Sequence, residues 1–171
     1  MAMPRENLSG RSKYKEGRMM KKYAVLTLAI VLLGGGSLAW AQSLVRVDKV
    51  SNNGFEKTAK QLETALKSRG MMLVATIDHQ NMMKMVGGSI KGSKTFEFGK
   101  PDMLKMVMPA DPAAGLEMPH KIYLYERADG TAVVSYYKPS GGFSAYGKDQ
   151  LKMVGEMMDK MFEEIIADAT K

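Results

Sequence analysis

The sequence predicts an α+β fold with the order β-α-β(4)-α, an antiparallel sheet covered on one face by two long helices. Three observations predict it. Two long segments, one early and one at the end, place apolar residues on a single helical stripe. Between them lie four apolar stretches of strand length, joined by short links. One link is Ala128-Asp129-Gly130, and Asp-Gly is a strong signal for a tight hairpin turn.

The elements follow in order. Ser43–Val50 alternates Leu44, Arg46 and Asp48 with Val45, Val47 and Lys49, the pattern of a first strand. Ser51-Asn52-Asn53-Gly54 breaks it, and Asn53 with Glu56 three residues later reads as a capping box. The helix runs to about Arg69, with Phe55, Ala59, Leu62 and Leu66 on its apolar stripe. Glu56–Lys60 and Glu63–Lys67 are i,i+4 pairs on its wet face, and Gly70 is the expected left-handed stop. Met71–Asp78 is a second strand and Ser93–Phe98 a third. The intervening His79–Val86 is either a short helix or a loop, ended by Gly87-Gly88. Pro101–Pro112 holds one or two helical turns, Pro119–Arg127 and Thr131–Lys138 pair as a hairpin, and Ser140-Gly141-Gly142 is a loop. The last helix, about Asp149 to Ala169, aligns Leu151, Val154, Met158, Met161, Phe162 and Ile165.

Upstream of these elements the chain carries an address. Met20-Lys21-Lys22 is basic, Tyr23–Leu33 is apolar apart from Thr27, and Ala39-Trp40-Ala41 is a small-x-small cleavage pattern. These are the parts of a secretory signal peptide cleaved after Ala41, and the apolar run is about half the roughly 20 residues of a spanning helix. The domain expected to remain is 42–171, in the periplasm or secreted, with no membrane attachment after cleavage. Residues 1–18 fit no part of a signal peptide. The codons AAG-GAG-G would encode Lys15-Glu16-Gly17 and form a ribosome-binding run just ahead of Met19-Met20, so translation is expected to start at one of those methionines.

Composition narrows the chemistry. The 171 residues hold 25 Lys+Arg and 18 Asp+Glu, a formal net charge of +7. Residues 1–41 contribute seven of the bases and two of the acids, which leaves 42–171 at only +2. A nucleic-acid partner therefore loses its electrostatic support. The absence of cysteine excludes disulfides, thiolate metal sites, cysteine nucleophiles and lipoprotein anchoring.

Methionine is the distinctive residue, with 13 of the 17 in 42–171. Helical methionines such as Met158 and Met161 fit simple core filling. Those near the histidines invite a ligand. His79 stands three and four residues before Met82 and Met83, and Met118 shares a strand face with His120. Thioether with imidazole suits Cu(I), or haem iron with axial His and Met. Strand alternation continues His79 from Leu73, Ala75 and Ile77, and His120 from Met118, Ile122 and Leu124, so both imidazoles are expected on the apolar side. No nucleophile motif accompanies them. Tyr123 and Tyr125 are expected to pack across the hairpin with Tyr136 and Tyr137. An open sheet edge would suit a homodimer.

Five phrases in register resemble the bacterial family catalogued as domain of unknown function 302. They are Ser51-Asn52-Asn53-Gly54-Phe55-Glu56-Lys57-Thr58, Thr76-Ile77-Asp78-His79, Phe98-Gly99-Lys100-Pro101, Gly115-Leu116-Glu117-Met118-Pro119 and the Tyr123–Gly130 strand and turn. The resemblance spans residues 44–168 and implies a β-α-β(4)-α arrangement similar to the TATA-binding-protein-like class. Lys100 replaces the family's usual Asn, and His120 stands where an apolar residue is common. The family has no established activity, so the resemblance implies a fold and no mechanism. The function expected is an exported binding or accessory module taking Cu(I) or a small apolar ligand at a Met/His-lined site. The alternatives are an enzyme using His79 in a cleft, and a protein-interaction module.

Overall fold

A computed structural model describes residues 44–171. The expected leader and cleavage site lie outside the described residues. Five strands form the sheet: β1 (Arg46–Val50), β2 (Met72–Asp78), β3 (Ser93–Gly99), β4 (His120–Glu126) and β5 (Ala132–Tyr137). The helices are α1 (Phe55–Ser68), α2 (His79–Met85), α3 (Pro101–Ala110), α4 (Pro139–Ser144) and α5 (Asp149–Thr170), with a 3₁₀ segment at Pro112–Glu117. The sheet order is β1-β5-β4-β3-β2 and every pairing is antiparallel.

The amphipathic stripes bury as their periodicity demands. Ala59, Leu62 and Leu66 of α1 and Leu151, Val154, Met158, Phe162 and Ile165 of α5 share one core with Phe96, Phe98, Ile122, Leu124, Val134 and Tyr136 of the sheet. The helix-covered face thus carries alternate residues of β3, β4 and β5, the period-two pattern of a half-buried sheet. α1 stops in a Schellman turn: Gly70 has φ +69°, its N–H donates to Lys67, and the Met71 N–H donates to Leu66. Leu66 and Met71 are both buried, which supplies the apolar contact of that motif.

Local rules fail at several points, each because another partner competes. Gly54, not Asn53, is the N-cap of α1, and no side chain caps it. The Asn53 amide instead donates to Gln61 and to the Lys171 carbonyl, tying the start of α1 to the chain's end. Glu56 pairs with Lys94 of the sheet at 3.6 Å rather than with Lys60. The Asp78 carboxylate, an N-cap the sequence reading overlooked, accepts from the Asn81 N–H and sets α2 as a helix. Ser140-Gly141-Gly142 is not a loop but the middle of α4.

That helix is held from below. Ser140 donates from its N–H and its hydroxyl to Asp159 of α5, at 2.9 and 2.7 Å. Beneath it lies Gly155, where a Cβ would stand 2.7 Å from the Ser140 Cα and 3.2 Å from the Phe143 Cβ. Alanine in a helix gains about 1 kcal/mol over glycine, but here it drives into backbone that Asp159 pins. Gly155→Ala is expected to lower stability by about 1 kcal/mol or more, the overpacking cost outweighing the propensity gain. Urea unfolding decides it; a raised midpoint would show that the two helices can part.

Candidate binding site

The five residues singled out in the sequence do not converge. A bulge between Leu73 and Ala75 reverses the alternation of β2. Leu73 opposes Phe98 and packs on the core, whereas Ala75 and Ile77 oppose Glu97 and Thr95 on the other face. His79 follows them there. Its Nε2 is 2.8 Å from the Thr95 hydroxyl and its ring meets Tyr123 edge-on at 5.9 Å. The expectation that both imidazoles look toward the apolar side is therefore corrected: His79 lies on the open face. Met82 and Met83 follow it on α2 and are exposed. No carboxylate hydrogen-bonds His79 among the described residues, since Asp78 caps α2. The tyrosines also differ from expectation. Tyr123 stacks on Tyr125 along its own strand at 5.4 Å, while Tyr136 turns inward onto Phe162.

His120 lies near the opposite end of the sheet, opposite Phe98 on the helix-covered face. With the sheet between them, the two imidazoles do not reach one Cu(I) or one haem iron. Among the described residues no group of three or more His, Asp or Glu could hold a metal ion. Met118 precedes His120 through a cis peptide to Pro119. This short segment has a different cavity on each side.

On one side is a groove of about 440 Å³ lined by Met72, Val74, Leu104, Met108, Met118 and prolines 101 and 119, with Lys100 its one charged side chain. Met72 and Val74, on an edge strand, are 55% and 59% exposed. Apolar groups exposed to this extent around one concavity are unusual for scattered surface residues.

On the other side is a cavity of about 210 Å³, whose lining includes His120, Glu117, Phe162, Tyr137 and Lys138. His120 is only 7% exposed and touches three rings, Phe98 at 6.1 Å, Phe143 at 6.1 Å and Phe162 at 5.5 Å. Burial pushes its pKa down to about 4, because the imidazolium would lose its hydration in this aromatic setting. The side chain is therefore neutral at pH 7. Glu117 accepts from the Tyr146 hydroxyl at 3.1 Å and lies directly against Gly142, where a Cβ would push the carboxylate aside. Sequence reasoning missed Glu117, Tyr146 and the groove's Val74 and Leu104. The phrase Glu117-Met118-Pro119-His120 was the available signal, but residue spacing does not show which side of the segment each side chain takes.

Comparison with known proteins adds the family. The crystal structure of an uncharacterized conserved DUF302 protein from Bacillus stearothermophilus is similar, with a TM-score of 0.68 at 18% identity. The similarity covers 75% of this chain and 100% of that one, and at this identity it speaks for the fold alone. No curated protein matches the chain. The sequence model of the family described as Domain of unknown function DUF302 matches residues 47–169, strand β1 through helix α5, so the chain belongs to that family.

Proposed function

We propose that the protein is an exported accessory module that binds a small apolar molecule in the methionine-lined groove. Export rests on the leader's basic, apolar and small-x-small order. The binding role rests on one observation, the grouping of Met72, Val74, Leu104, Met108 and Met118 around a single 440 Å³ concavity. That volume falls within the range of small-ligand sites. Flexible thioethers suit a surface that adapts to its ligand's shape. Lys100 stands in none of the ion pairs among the described residues and lines the same groove. An apolar body with a carboxylate head fits both features.

N-phenyl-1-naphthylamine, which brightens on leaving water, is the probe. Its fluorescence is expected to rise with the protein and to fall back as octanoate is added, with octanol a weaker competitor. Met72→Lys, at an exposed position that leaves the core intact, should reduce dye binding at least tenfold. Unchanged binding in that variant would place the dye elsewhere and remove the proposal.

A further inference from the structure

The cavity around His120 is distinct from the groove and has a different chemistry. It is small, about 210 Å³ against the groove's 440 Å³. Its body is apolar, contributed by Leu44, Leu116, Pro119, Pro139 and the rings of Phe162 and Tyr137. Within that lining stand two acceptors lacking a cation.

The first acceptor is His120 itself. The imidazole makes no hydrogen bond among the described residues, although it is more than nine-tenths buried. Among the described residues no side-chain nitrogen or oxygen is both sealed from solvent and unpartnered. The ring nitrogens of His120 therefore open onto the cavity it lines. A neutral imidazole always has one nitrogen with a free lone pair, and burial keeps this one neutral. The second acceptor is Glu117. It accepts one hydrogen bond from Tyr146 and takes part in none of the ion pairs among the described residues. The two lysines lining the cavity are already matched, Lys121 to Glu97 at 3.5 Å and Lys138 to Glu163 at 3.1 Å. Counting those pairs as neutral leaves one uncompensated negative charge, on Glu117.

We infer that this cavity is a binding site for a small organic cation, a primary ammonium on a short apolar body. Its ammonium donates to the Glu117 carboxylate, and its body reaches toward the imidazole of His120 across the cavity that both residues line. Its alkyl part replaces water against the prolines and leucines, and the faces of Phe162 and Tyr137 favour positive charge near them. A carboxylate-bearing ligand would instead face Glu117 and be repelled.

The test compares n-butylammonium with n-butanol, which matches it in size and lacks the charge. Calorimetric titration of the purified protein at pH 7.5 is expected to show butylammonium binding at least tenfold more tightly than butanol. Butylammonium should also shift the His120 imidazole resonances. Its affinity should fall as the pH drops from 6 toward 4, where His120 takes a proton and repels it. Glu117→Gln keeps the side chain's shape and its Tyr146 partner, and should cost tenfold or more in affinity. Should that variant fold poorly, the resonance shift in the unaltered protein carries the test by itself. Equal binding of butanol and butylammonium, no shift at His120, or zinc ion bound there with butylammonium excluded would each overturn the assignment.

Discussion

Lowering the pH from 7 to 4 is expected to remove about 3 kcal/mol of stability through His120 alone. In the folded chain burial holds this imidazole's pKa at about 4, against an ordinary value of 6.5 in the unfolded chain. Between those values the unfolded chain binds a proton that the folded chain refuses. Stability therefore declines with falling pH, by about 1.4 kcal/mol per unit at most, starting near pH 6.5 and levelling off below about 4. Above pH 6.5 both states are neutral at this site and it contributes no slope. The carboxylates held low by their partners, Asp48 by the Ser135 hydroxyl, Asp111 by Lys148 and Asp168 by Lys171, act in a different window. Their stabilisation is present above their unfolded value of 3.8 and is lost as the pH falls below it. That window lies below most of the interval from 6.5 to 4, over which His120 acts. Urea midpoints measured across that interval should drop in the natural protein and stay nearly flat in His120→Leu. A parallel decline in both would assign the slope to other groups.

Phe162→Ala is expected to cost about 3–5 kcal/mol, the range for a buried aromatic truncated to alanine. The ring is 1% exposed and touches Phe98 of β3 at 5.3 Å, Tyr136 of β5 at 5.4 Å and His120 of β4 at 5.5 Å. One side chain of α5 therefore joins three strands, and the surrounding sheet cannot collapse onto the void without breaking its register. Such a loss is a large share of the 5–15 kcal/mol by which domains of this kind are stable. Phe162 also lines the His120 cavity, so its removal admits water beside the imidazole. The folded pKa of His120 should then climb back toward 6.5, and the acid slope described above should shrink. Both effects are read from one set of denaturation curves. A destabilised variant with an unchanged acid slope would show that Phe162 supports the core without shielding His120.

The legible parts of this fold are those that a single periodicity determines. The stripes of α1 and α5 bury Leu62, Leu66, Leu151 and Phe162 because residues at helical spacing share a face wherever the helix packs. Gly70 stops α1 because only a residue tolerant of positive φ fits there, and Asp129-Gly130 turns the hairpin for the same reason. Asn53 escaped the reading because its amide had a better partner 118 positions away, at Lys171. His79 escaped it because one extra residue in β2 moves every later side chain to the other face, and nothing in Met-Leu-Val-Ala-Thr-Ile-Asp marks the bulge.

By itself the sequence determined the order β-α-β(4)-α, the antiparallel sheet with its two covering helices, the family, and the near-neutral charge of residues 42–171. These follow from composition and from periodicities that local backbone geometry enforces. Only the tertiary structure decided that His79 and His120 stand on opposite faces. It also decided that Met118 and His120, two residues apart, serve different cavities, and that Glu117 shares one of them with a buried neutral imidazole. The physical reason is that a side chain's surroundings depend on strand register, on one bulge and on which elements pack above it, and these are set by contacts between residues far apart in the chain.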